Sequence, residues 1–213
     1  MKRLLNIIIV LAALLPVQLQ ARTVADFLAS EPGNIFTLLT RTNRLDMVDY
    51  YNSGQQVAIP NNLMGESRLL ELDSTCLKLH SSASRQVEMR LMTAGKDTLI
   101  AVIETVKTPV PDSRITFWTP QWLPAPKAAK KFKMPVIDDF IVKKMPADLR
   151  QDLQDVMIFP LIQLTFTGDG HDTIEATHGL QQFLSPLEYK RFEQYLRPAI
   201  RYRISGTAIK PVR

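Results

Sequence analysis

Residues 85–119 constrain the fold of this chain more than any other stretch. Val87, Met89 and Leu91 alternate with Glu88 and Arg90, the two-residue period of a half-buried strand. Thr93-Ala94-Gly95-Lys96-Asp97 turns the chain, and Thr98–Val106 returns. The run Leu99-Ile100-Ala101-Val102-Ile103 is apolar on both sides, so this strand is expected at the centre of a sheet. Arg68–Asp73, Leu77–His80 and Arg114–Thr119 supply further strand candidates. Together they predict an antiparallel meander of about five strands, with the preceding helices on one face.

Those helices are read at Thr23–Ser30, closed by Glu31-Pro32-Gly33, and in a second segment. There Ile35, Leu38 and Leu39 begin a helical stripe that Leu45, Val48 and Tyr51 continue to Gly54. Asp46 falls in the first turn of that later piece, where negative charge suits the helix dipole.

After Thr119 the pattern breaks. Pro120, Pro124, Pro126 and Pro135 interleave with Lys127, Lys130, Lys131 and Lys133, which reads as an exposed connector over 120–135. Beyond it the helix-then-sheet order recurs. Pro146 starts a helix to about Gln154, and Val156–Thr167 is a strand with Pro160 at a bulge or edge. Gly168-Asp169-Gly170 turns into Asp172–His178. Ser185-Pro186-Leu187-Glu188 is a capping box opening a helix that carries Leu187, Phe192, Tyr195 and Leu196. Ile200, Tyr202 and Ile204 alternate as a last strand. The expectation is an α+β protein of two similar lobes, 22–119 and 136–213, each an antiparallel sheet packed by one or two helices.

The first 21 residues have the build of a secretory signal peptide. Met1-Lys2-Arg3 is basic, Leu4–Val17 is apolar except for Asn6, and Ala21 is a small residue suited to cleavage. The apolar run is shorter than the roughly 20 residues of a membrane span. The mature chain is therefore expected to begin near Arg22 and to be periplasmic or associated with the cell envelope. Losing Lys2 and Arg3 takes the 26 basic residues to 24 against 21 acidic, a mild excess that does not suggest nucleic acid. The lone cysteine, Cys76, excludes an internal disulfide and reads as a buried thiol.

Little in the sequence converges on catalysis. There is no His-Glu-x-x-His, Cys-x-x-Cys or Gly-x-Ser-x-Gly. His171 and His178 stand seven apart, on opposite faces of a strand, so they should not share an ion. Asp46 and Asp49 share a helical face beside Arg41 and Arg44, which capping and solvation explain. No metal and no cofactor is expected. The candidate binding surface is Trp118 and Trp122 with Lys127, Lys130 and Lys131. Indole faces suit a protein pocket or a sugar, and the lysines suit an acidic glycan. Packing at a junction is the competing role for the tryptophans.

Three stretches carry a family resemblance. They are Asn43-Arg44-Leu45-Asp46-Met47-Val48-Asp49-Tyr50, Val87-Glu88-Met89-Arg90-Leu91 and Thr105-Val106-Lys107-Thr108-Pro109-Val110-Pro111-Asp112-Ser113-Arg114-Ile115-Thr116-Phe117-Trp118. They resemble a family of exported, uncharacterised proteins of gut and oral Bacteroidales, a domain of unknown function, over nearly all of residues 22–205. Where that family shows Thr-Asp-Trp, this chain has Thr119-Pro120-Gln121-Trp122, without the carboxylate. The resemblance implies a two-lobed α+β fold, akin to the helix-plus-sheet repeats of β-lactamase-inhibitor-like proteins, and supplies no activity. The function expected is a non-enzymatic exported binding protein that meets an envelope protein. The alternative is an envelope hydrolase or glycan-processing enzyme with a site assembled from scattered residues.

Overall fold

The structure, a computed structural model, describes residues 21–107, 109–156 and 161–212. The signal segment up to residue 20 and the bulge expected at Pro160 lie outside the described residues.

Helix α1 (Val24–Ser30) opens on a capping box in which Thr23 and Asp26 exchange hydrogen bonds, and it buries Val24, Phe27 and Leu28. The apolar stripe read from Ile35 onward is not helical before residue 41. Glu31 is 2 % exposed, and its carboxylate accepts from the backbone N–H groups of Gly33, Asn34, Ile35 and Phe36. Amides captured by a side chain cannot enter a helical ladder, so the chain wraps around Glu31 instead. The buried Arg44 closes this wrap, donating to the carbonyls of Glu31 at 2.6 Å and Leu39 at 2.9 Å. Helix α2 (Arg41–Asn52) starts only after Thr40, its N-cap. Asp46 is therefore past the first turn, and Asp46 and Asp49 are both exposed.

Six strands follow in one antiparallel sheet, in chain order: β1 (Ile59–Pro60), β2 (Glu66–Leu72), β3 (Cys76–His80), β4 (Arg85–Ala94), β5 (Asp97–Val106) and β6 (Asp112–Trp118). The meander holds, with the two-residue β1 as an added edge. Its Pro60 has no N–H to offer a further strand. A second antiparallel sheet has the order β10-β9-β8-β7: β7 (Ile162–Thr167), β8 (Thr173–His178), β9 (Ala199–Ser205) and β10 (Ala208–Pro211). The hairpin to β10 turns at Gly206, whose φ of +60° favours glycine. The protein is thus mixed α+β, with sheets of six and four strands.

The central sheet is covered on both faces. One face, with Leu77, Leu79, Val87, Met89, Ile100 and Val102, packs under α1, α2 and the Glu31 wrap. On the other, Cys76, Met92, Ala101, Ile103 and Phe117 share a core with Ile162, Leu164, Phe166 and Ile174 of the second sheet. Full burial of such side chains stabilises by about 1.5–3 kcal/mol each.

A polar seam joins the sheets as well. On the outer side of β7, the N–H of Ile162 donates to Asp112 Oδ1 at 3.1 Å and that of Leu164 to Ser113 Oγ at 2.9 Å. The N–H of Phe166 donates to Glu88 Oε2 at 2.9 Å, and the Thr165 hydroxyl donates to the same carboxylate at 3.0 Å. Three edge amides that would otherwise be orphaned near the core thereby find acceptors on β4 and β6.

The segment 120–135 is more than an exposed connector. It contains the one-turn helix α3 (Pro126–Ala129), for which Pro126 at the first position is no obstacle, and it buries Trp122 and Phe132. Phe132 meets Phe117 edge-on at 6.4 Å and Tyr202 at 5.2 Å, so it is a wedge in the shared core. Two 3₁₀ turns (Ile137–Phe140 and Asp169–His171) and helices α4 (Ala147–Val156), α5 (Leu180–Phe183) and α6 (Pro186–Glu193) complete the described elements. Helix α6 has the expected capping box on Ser185 and Glu188 but ends at Glu193, leaving Tyr195 and Leu196 beyond it. Leu196 bridges to Ile141 instead.

His178 packs edge-on against Phe140 at 5.1 Å, with Tyr189 at 6.5 Å, and burial pushes its imidazole pKa down. The neutral ring is therefore the folded form. Its contribution is complete above the ordinary value of 6.5 and is lost as pH falls through the lowered folded value. Urea denaturation at pH 7.5 and pH 5 should show a smaller acid loss in His178→Phe than in the wild type. An equal loss in both would remove His178 from the acid response.

Candidate binding surface at the loop end of the central sheet

The residues singled out by sequence do not come together on one surface. Trp118 is half-buried, and its indole N–H donates to Thr116 Oγ1 at 3.0 Å. Trp122 is 6 % exposed, 6.1 Å from Trp118 ring to ring, and belongs to the helix-side core. Its φ of +59° is unusual for a bulky residue and swings the ring inward, while its backbone N–H donates to Thr119 O at 2.9 Å. Lys127, Lys130 and Lys131 are exposed, but Ala125, Ala128 and Phe132 around them pack on the opposite core. Trp122 is thus a packing residue: the bend after β6 folds its ring back onto the helix-side core, while its neighbour Leu123 stays exposed.

Loops β1–β2, β3–β4 and β5–β6 gather at one end of the central sheet, and this constellation the sequence reading missed. Asn61, 8 % exposed, organises it. Its Oδ1 accepts from the N–H of Leu63 at 3.0 Å and Gly65 at 3.1 Å. Its Nδ2 donates to Ser81 O at 3.2 Å and Ser67 Oγ at 3.3 Å, which fixes loop β1–β2 to loop β3–β4. Lys107 N–H then donates to Ser84 O at 2.8 Å, which fixes the third loop. Held this way, the tip presents Leu63 at 71 % and Met64 at 100 % exposure, Met64 with a φ of +57°. An apolar pair inside the turn sequence Asn61-Asn62-Leu63-Met64-Gly65 was the available signal.

Behind the tip lies an open cavity of about 600 Å³ whose wall includes Leu63, Glu66, Arg68, His80, Ser82 and Ser84. Arg68 stands opposite His80 across strands β2 and β3. Lys107 Nζ lies 3.0 Å from His80 Nε2, and Gln86 Oε1 lies 3.2 Å from the same nitrogen. Burial, then the charges of Lys107, Lys78 and Arg68, push the His80 pKa down, while the Gln86 contact opposes them. Among the described residues no carboxylate forms an ion pair with Arg68 or Lys107.

A second open cavity, about 610 Å³, flanks Val106 and holds the buried Glu104 clamped between Arg85 and Arg114. Arg85 also donates to Ile35 O at 3.0 Å, so this cluster ties the Glu31 wrap to the sheet. Asp112 shares the cavity and leaves its charges balanced.

Neither cavity assembles a catalytic set. The described histidines are dispersed: His80 contacts Lys107 and Gln86, His171 lies 3.7 Å from Asp73, and His178 sits among aromatic rings. Among the described residues no group of three His, Cys, Asp or Glu converges as a metal site. Cys76 is buried, and burial pushes its thiol up to about 12. Native protein at pH 8 should therefore alkylate with iodoacetamide far more slowly than urea-unfolded protein; equal rates would place the thiol at the surface.

Two antiparallel sheets sharing a core and flanked by helices define a mixed α+β protein. The chain belongs to the family described as "Protein of unknown function (DUF3256)", matched over residues 16–208, in keeping with the resemblance in its helix and strand sequences. A solved structure described as a domain of an uncharacterized protein from Porphyromonas gingivalis W83 has a similar fold. Its TM-score is 0.77 at 20% identity, with 90% of this chain and 98% of that chain covered. The sequence has no match among curated proteins. No described helix is long and apolar enough to cross a membrane.

Proposed function

We propose that this chain is an exported, non-enzymatic binding protein of the cell envelope, and that its contact surface is the loop end of the central sheet. The observation that carries this reading is the Leu63–Met64 tip. Exposing two large apolar side chains has no benefit to folding, yet Asn61 commits a buried amide to holding them there. A pre-organised tip loses little conformational freedom on association. Export rests on the signal-like first 21 residues, so protein recovered from outside the cytoplasm should begin near Arg22. The two sheets with their helices form two lobes closed on one core. The partners are envelope components: one that docks at the tip, and an acidic glycan at Lys127, Lys130 and Lys131.

The hydrolase reading loses support from the hydrogen bonding. Glu88 and Glu104, both buried, are committed to the β7 seam and to the arginine clamp. The test is a photo-crosslinking residue placed at Met64 and, as control, at Leu187, another highly exposed apolar position, in cells carrying the tagged chain. Adducts at 64 that are missing at 187, which is 83 % exposed, would support the loop end. Equal or no adducts at 64 would refute it.

A further inference from the structure

The tip and the cavity behind it are one site, because Leu63 lines the cavity together with Arg68 and His80. We infer that the loop end docks on an anionic phospholipid surface, Leu63 and Met64 entering the acyl boundary while Arg68 and Lys107 take a headgroup phosphate. This rests on the reading of the loop end as the contact surface and names what it contacts.

The chemistry has two halves that a lipid matches together. The apolar half is only two residues wide and is ringed by Asn62, Gly65, Ser82, Ala83 and Ser84. Stable protein interfaces bury on the order of 800 Å² per partner, far more than such a tip offers, whereas a bilayer boundary accepts a narrow wedge. The polar half has two cations that pair with no carboxylate among the described residues, with the Ser82 and Ser84 hydroxyls on the same wall as Arg68. Glu66 is the carboxylate on that wall, so the cations of Arg68 and the adjoining Lys107 outnumber it. Phosphate oxygens take bidentate or multiple N–H donors of this kind. The rigidity supplied by Asn61 keeps wedge and cations in register.

Flotation of the mature chain with vesicles tests this, using phosphatidylcholine alone and phosphatidylcholine with phosphatidylglycerol. Binding should require phosphatidylglycerol and weaken as salt rises. Arg68→Gln and Lys107→Gln should each lower partitioning about fivefold. Leu63→Ser with Met64→Ser should lower it at least about tenfold. Leu63, Met64 and Arg68 are exposed and Lys107 is half-buried beside His80, so thermal melts should be unchanged for the first three and little changed for Lys107, which separates lost binding from lost folding. Met64→Trp gives an independent reading: its emission should shift to the blue on anionic vesicles and be quenched by brominated acyl chains. Soluble glycerol phosphate at millimolar concentration should fail to displace the protein.

Absence of flotation on anionic vesicles, or flotation without blue shift at position 64, would overturn the inference. Displacement by glycerol phosphate would also overturn it, in favour of a soluble phosphate ligand. Protein adducts at position 64 without vesicle binding would leave the contact surface standing and remove the lipid.

Discussion

Replacing Trp122 by alanine should lower the melting temperature of this protein by roughly 10 °C. Emptying a buried tryptophan site costs about 3–5 kcal/mol, and a chain of this size loses about 2–4 °C per kcal/mol. The ring fills the helix-side core next to Trp118, so the loss should be felt in the packing of α1 and α2 on the sheet. Trp122→Phe, which retains an aromatic ring, should recover much of the loss. A scanning calorimetry trace for Trp122→Ala within a degree or two of the wild type would show that the ring is not part of the core. It would favour the binding-surface role for Trp122 over junction packing, the two roles its sequence allows.

Glu88→Ala should be nearly as damaging, about 2–4 kcal/mol, for a different reason. It removes the acceptor of Phe166 N–H and of the Thr165 hydroxyl, and a buried donor left unpaired costs its full desolvation. Hydrogen exchange should report the location, with the Phe166 amide losing protection before the interior of β5.

Glu88 also predicts a pH effect. Burial raises its carboxyl pKa above 4.5, and the donors from Phe166, Thr165 and Gln86, with the charge of Lys78 at 3.9 Å, offset only part of that rise. With the folded value above the unfolded one, the contribution of Glu88 is complete below 4.5 and is lost as pH rises through the folded value. Wild type should therefore gain on Glu88→Gln as pH falls from neutrality toward 4.5. A difference in urea midpoint that stays constant across that range would show that the carboxylate ionises freely.

Much of the architecture is legible in the sequence where one physical signal acts alone. The alternation in β4, the apolar run in β5 and the Ser185 capping box each specify their element locally. The failures arise where a distant or unusual partner decides. Ile35, Leu38 and Leu39 have helical spacing, but the Glu31 carboxylate takes the amides that a helix would need. Proline and lysine in 120–135 suggest solvent, but Trp122 and Phe132 are drawn into opposite cores. The loop-end site was hidden for a related reason. Leu63, Arg68, His80 and Lys107 lie on different segments of the chain, and antiparallel pairing brings them to one end. No spacing rule within a single element joins them.

The acceptors along β7 also bear on the order in which the chain acquires structure. The central sheet is made almost wholly of adjacent hairpins, whose loops close within a few residues and so form quickly. The bonds that complete β7 span 50 residues for Ile162 to Asp112 and 78 for Phe166 to Glu88. Until β4 and β6 are in place, the free edge of the second sheet has nothing to satisfy it and is open to pairing with another chain. The N-terminal half therefore serves as the template on which the C-terminal half finishes folding. A chain that emerges from synthesis with its N-terminus first presents the two halves in that productive sequence.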